Sequence, residues 1–192
     1  MNKLRKLKNN IFSLSAVQVL GARGYGRMLA TLIRALPGIY QFGDLRRLDA
    51  AMAGLNAFRY RGRRLRFDTA YCDERIRDGS YAFGIVREIL IRDCYLKYLP
   101  DKGLDKLRTV VDLGANRGMF TVVAGALGER VLSVEANAVF RPVIEHNARI
   151  NGFDHIEIET AIVGAGACLE TQVVPLSSRN YWICTHFAKL TW

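Results

Sequence analysis

Between positions 112 and 118 the chain reads Asp-Leu-Gly-Ala-Asn-Arg-Gly, and 23 residues after Asp112 stands Glu135. A carboxylate, two glycines and an asparagine at these spacings can build a turn that cradles a nucleotide-like ligand. Gly114 admits a positive φ and a close backbone approach, and Gly118 lets the next helix pack against the preceding strand. Asn116 stands where a third glycine is common, and asparagine is the non-glycine residue that best tolerates a left-handed backbone. Asp112 can accept hydrogen bonds from the turn's backbone or from a ligand's ammonium group. Backbone N–H groups at the start of the following helix, with its dipole, favour a carboxylate. Glu135 closes the run Val131-Leu132-Ser133-Val134 at about the spacing of an acid that accepts both hydroxyls of a ribose. Such an acid suits a free 2′-hydroxyl and repels a 2′-phosphate.

The elements that must hold these residues are readable from periodicity. Strand 109–113, helix 118–127, strand 131–135, helix 139–150 and strand 156–160 follow one another as a β-α-β-α-β unit with parallel, buried strands. Phe140, Val143, Ile144, Ala148 and Ile150 line one face of the second helix, which Asn151-Gly152 ends. Upstream, Phe83–Leu99 has helical spacing up to Pro100, followed by a polar linker at 101–108. Met28, Leu29, Leu32, Ile33 and Leu36, with Arg27 and Arg34 interleaved, predict a short amphipathic helix over Tyr25–Leu36 that Pro37-Gly38 stops. Phe58–Phe67 alternates apolar and basic residues about Gly62, which predicts a hairpin with one aromatic face and one row of guanidinium groups. The domain organisation expected is a basic N-terminal extension, 1–82, and a Rossmann-like domain, 83–192.

With 192 residues, half of them hydrophobic, the chain has length for one medium domain plus an extension. No run reaches the roughly 18 uninterrupted apolar residues of a membrane-spanning helix. Fourteen of the 28 lysines and arginines fall in residues 1–67, against Asp44 and Asp49, which makes that third +12. The formal total of +10 leaves −2 for the other 125 residues. The basic segment suits a solvated face, and also nucleic acid, an anionic membrane surface or an acidic substrate. Arginines interleaved with aromatics in the hairpin add single-stranded nucleic acid to that set.

The basic start and the run Ile11–Leu20 resemble a signal peptide in outline, but two serines, a glutamine and a poor cleavage site argue against one. Cys72, Cys94, Cys168 and Cys184 are unclustered, as reduced thiols of a cytoplasmic protein would be, and with His146, His155 and His186 they form no metal-ligand spacing. No residue carries the marks of a catalytic base, since each histidine stands alone.

The stretch Asp112–Phe120, then Val134-Glu135-Ala136-Asn137, then Asn147–Gly152, resembles the FkbM-type S-adenosylmethionine-dependent methyltransferases. The resemblance covers about Glu88 to Gly164. It implies a class I Rossmann-like parallel sheet and methylation of a hydroxyl on a sugar or other small molecule. By it, Asp112, Gly114, Asn116 and Gly118 would hold the methionine moiety, Glu135 the ribose, with Asn137 beside it and Ala161 near the adenine. A substrate hydroxyl would attack the sulfonium methyl in line, a displacement that gains mostly from positioning.

The family's later Asp-x-Glu-Gly-like motif is absent, and no Asp or Glu follows Glu170. Gln172–Pro175 and Trp182–Phe187 could each form a short strand, outside the family's downstream pattern. The expectation is therefore a truncated or frameshifted member, active or an inactive remnant, with an incomplete sheet whose uncovered apolar surface favours self-association. Two other classes compete. One is a non-catalytic module that binds nucleic acid or an anionic membrane through residues 1–67. The other is an NAD-dependent oxidoreductase, disfavoured because 114–118 lacks the second glycine of the dinucleotide turn.

Overall fold

Apolar strands with β-branched residues, separated by an apolar helix and an amphipathic one, dictate a parallel sheet with helical cover, and that is the fold adopted. The computed structural model describes residues 11–99 and 107–162, and the backbone of 181–185. The basic start at Lys3–Lys8, most of the linker at 101–108, the strand expected at 172–175, Cys168 and His186 lie outside the described residues. Contacts divide the chain into two units, Met1–Tyr98 and Leu99–Trp192. Among the described residues, no helix is long and apolar enough to cross a membrane.

In the first unit, helix α1 spans Leu14–Phe42, longer at both ends than expected. Ser13 caps it, its hydroxyl oxygen accepting from the Ala16 N–H at 3.1 Å. Gly21 breaks the helical conformation with φ 65°, and Gly43 ends the helix in the left-handed region. Pro37 does not stop it. The proline lies on the exposed side, where its missing N–H leaves the Ile33 carbonyl open to water rather than buried. The inward stripe of α1, including Met28, Leu32 and Ala35, packs on α2 (Arg46–Ala51) and β1 (Ala57–Tyr60).

β1 pairs antiparallel with β2 (Arg63–Arg66). Arg61 and Gly62 both have positive φ, 47° and 78°, as a two-residue type I′ turn requires. Phe58, Tyr60 and Leu65 are buried on the inner face, while Arg59 and Arg64 stand directly opposite each other on the exposed one. Arg63 is the exception to a clean division, since it pairs with Tyr60 on the inner face and is half-buried. The interleaved aromatics are therefore not available for stacking on bases.

Helices α3 (Thr69–Arg75) and α4 (Ala82–Val86) follow, and α4 runs into a π-helical turn, Arg87–Ile91. The helix expected up to Leu99 ends here. Arg92 N–H bonds to the Arg87 carbonyl at 2.9 Å, and Asp93 turns left-handed at φ 46°. Asp93 is held there by the Tyr60 hydroxyl at 2.6 Å and the Arg61 guanidinium at 2.9 Å. Ala82–Ile91, expected in the second domain, packs with α1, α2 and α3 in the first unit.

The second unit is a Rossmann-like parallel sheet of β3 (Leu107–Leu113), β4 (Gly128–Val134), β5 (Ile156–Glu159) and β6 (Tyr181–Thr185) in the order β5-β4-β3-β6. Helices α5 (Met119–Leu127) and α6 (Arg141–Ile150) pack on each other and on the sheet. The chain order reverses at β3, whose neighbours are β4 and β6. In such sheets ligands sit outside the carboxyl ends of the strands at this reversal.

Candidate functional site

The turn that leaves β3 is built by three left-handed residues, Gly114 at φ 76°, Asn116 at 52° and Gly118 at 77°. Asn116 thus stands in for glycine as its chemistry allows. Gly114 and Ala115 N–H both donate to the Val134 carbonyl, at 2.8 and 3.0 Å, which ties the turn to the end of β4. Gly118 caps α5, and a Cβ there would lie 3.1 Å from the Ile144 side chain. The glycine therefore sets how closely α6 approaches the turn.

Glu135 follows β4 directly and is half-buried. Its Oε2 accepts from the Asn116 N–H at 2.7 Å and its Oε1 from the Asn137 N–H at 2.9 Å. Asn137 in turn caps the 3-10 turn Ala138–Phe140, its Oδ1 accepting from the Val139 N–H at 3.1 Å. Ala161 N–H donates to the Glu135 carbonyl at 3.2 Å. The turn, the β4 end and the segment after β5 thus form a rim around Glu135: of the seven expected residues, Asn116, Asn137 and Ala161 bond to it directly, and Gly114 and Gly118 belong to the turn.

Asp112, the seventh, lies beneath that rim and is only 2% exposed. Its Oδ2 accepts from the Thr121 hydroxyl at 2.6 Å, and Thr121 Oγ1 lies 3.0 Å from Ser133 Oγ. Because the Thr121 proton goes to Asp112, Ser133 supplies the second bond. Burial pushes the Asp112 carboxyl up to about 7; the Thr121 hydrogen bond opposes this and the Glu135 charge adds to it. Asp112 therefore joins β3 to α5, while Thr121 and Ser133 complete the network from α5 and β4.

Sequence reasoning missed Thr121 and Ser133. Each is a lone hydroxyl in an otherwise apolar run, Met119–Leu127 and Val131–Val134, and a buried hydroxyl needs a partner. It also missed Arg117, which is 1% exposed with its guanidinium 5.9 Å from the Phe140 ring centre. His155 Nε2 lies 2.9 Å from the Gly125 carbonyl. Among the described residues no group of three or more His, Cys, Asp or Glu could hold a metal ion.

No family model and no curated protein matches this chain. Solved structures resemble it in part. A dimethyladenosine transferase from Plasmodium falciparum is 14% identical over 35% of this chain and 26% of its own, with a TM-score of 0.30. Trm5b from Pyrococcus abyssi is 20% identical over 55% of this chain and 27% of its own, at 0.33. The YcgJ protein of Bacillus subtilis is 18% identical over 30% and 26%, at 0.28. The matches span about a quarter of each of those chains.

Proposed function

We propose that the second unit binds S-adenosylmethionine at the carboxyl ends of β3 and β4, and that the chain is an FkbM-like methyltransferase acting on a hydroxyl of a sugar or other small molecule. The observation that carries this reading is the Glu135 carboxylate, set at the rim and bonded to the Asn116 N–H of the left-handed turn. Its two hydrogen bonds use one acceptor position on each oxygen. A further lone pair on each remains for the vicinal hydroxyls of a ribose, so the donor set fits the ligand there. The N-terminus of α5, capped by Gly118 without a side-chain bond, offers backbone N–H groups and the positive dipole end to the methionine carboxylate.

Asp112 serves that end indirectly, since its carboxyl is engaged with Thr121 below the turn. The cofactor supplies an electrophilic methyl group. The chain's part is to hold it and to place the acceptor hydroxyl in line. Calorimetric titration with S-adenosylhomocysteine tests the reading. Binding is expected in the parent and a loss of at least about tenfold in Glu135→Ala, as for a lost charge-assisted hydrogen bond. No heat at millimolar ligand would overturn it.

A further inference from the structure

From Ala22 to Phe42, α1 carries no acid and three arginines, Arg23, Arg27 and Arg34. Successive residues turn by about 100°. With Met28, Leu32 and Ala35 inward, Gly26, Ala30 and Pro37 point most directly away from the core, Ile33 and Tyr40 stand beside them, and Leu36 is exposed on the same flank. These are apolar or aromatic where a soluble helix would be polar. Ile33 is 69% exposed and Tyr40 85%. Arg27 and Arg34 run alongside this stripe, and Arg47 of α2 joins them around an open pocket of about 450 Å³. Arg27 is partly engaged, donating to the Ala51 and Ala53 carbonyls at 3.0 Å each. Arg47 lies across Gly38, where a Cβ would come within 2.6 Å of its Cδ, and over the Phe42 ring. Among the described residues no acid forms an ion pair with Arg34.

We infer that the outward face of α1 is a docking surface for an anionic phospholipid membrane, with Ile33, Leu36 and Tyr40 entering the acyl boundary and the Arg27–Arg34–Arg47 pocket taking phosphate headgroups. Charge complementarity selects this occupant. A second copy would bring the same arginines against themselves. Nucleic acid would satisfy the arginines and stack a base on Tyr40, but it offers no acyl environment to Ile33 and Leu36. The helix is not apolar enough to span a bilayer, so it would lie in the interface plane, as amphipathic helices with basic flanks do. This surface belongs to the first unit and does not depend on the cofactor reading.

Co-sedimentation of the full chain with phosphatidylcholine vesicles, with and without phosphatidylglycerol, tests it. Binding is expected only with phosphatidylglycerol and is expected to weaken with salt. Ile33→Asp should weaken it about tenfold and Arg34→Glu at least about fivefold. Both positions are exposed, and an unchanged circular-dichroism melt would show that the fold is kept. Three results would overturn the inference: equal binding to neutral vesicles, loss in Arg34→Glu with none in Ile33→Asp, or no vesicle binding by a parent that Ile33→Asp converts from oligomer to monomer. The second result would assign the arginines to polyanions in general, and the third would make the occupant another copy of this chain.

Discussion

Glu135 Oε2 lies 2.7 Å from the Asn116 nitrogen, a side chain at the end of one strand holding the left-handed residue of the turn that leaves its neighbour. The residue proposed to receive the ribose thus also holds the turn beside it in shape. Glu135→Ala should therefore lower stability even without ligand, by about 2 kcal/mol for two half-exposed charge-assisted bonds. Glu135→Gln, with one acceptor oxygen, should lose about half as much. Urea unfolding measures both, and an alanine variant as stable as the parent would mean that the clamp contributes nothing.

Asp112 gives the fold a pH dependence of defined sign. Its ordinary value is 3.8 and burial raises it to about 7. Between those values the folded chain keeps a proton that the unfolded chain has released. The stability contributed by Asp112 therefore falls as pH rises through that window, and above it the ionised carboxyl is a net cost. Asp112→Asn keeps an acceptor for Thr121 and removes the titration. The variant's stability relative to the parent should grow from about pH 4 to about pH 8, by up to about 4 kcal/mol. A difference that stays flat with pH would show that Asp112 titrates normally.

Gly125 is where α5 admits the segment after α6. A Cβ there would stand 2.6 Å from Phe153 Cδ2 and 2.9 Å from Ile156 Cδ1, and the Gly125 carbonyl also meets His155. Despite its better helix propensity, Gly125→Ala should destabilise by about 1–3 kcal/mol, as overpacking does. Adding Phe153→Leu should recover part of that loss. Thermal melts of the single and double variants decide it, and additive losses would exclude the clash.

The second unit was legible from its residues because its signals are local. Val110-Val111, the glycine turn, Val131–Val134 and Asn151-Gly152 each specify a strand, a turn or a cap without help from distant contacts. The left-handed conformations at Gly114, Asn116 and Gly118 use residue types that tolerate a positive φ, and Glu135 then holds the one at Asn116. The first unit yielded less, because tertiary contacts decide its boundaries. Helical spacing continues to Leu99, yet Tyr60 and Arg61, more than 30 residues earlier, hold Asp93 in a turn that ends the helix. Pro37 reads as a stop but lies where water can serve the open carbonyl. Within the site, Glu135 was found by spacing, whereas the depth of Asp112 depended on Thr121 and Ser133 folding over it.

Asp49 and Arg87 join α2 to the π-helical turn through a buried fork, with Nε to Oδ1 at 2.8 Å and Nη2 to Oδ2 at 2.6 Å. Burial outweighs the Arg87 hydrogen bond and charge, so the Asp49 carboxyl titrates above its ordinary value. Desolvation thus consumes much of what the pair gains. Removing one partner leaves the other charged and dry. Arg87→Met should cost about 3–5 kcal/mol, and the double variant Asp49→Leu/Arg87→Met far less than the single one. A double-mutant cycle in urea measures the coupling directly. If the double variant loses the sum of what Asp49→Leu and Arg87→Met lose singly, the pair contributes no specific interaction, and the junction of α2 with the π-helical turn rests on its apolar contacts alone.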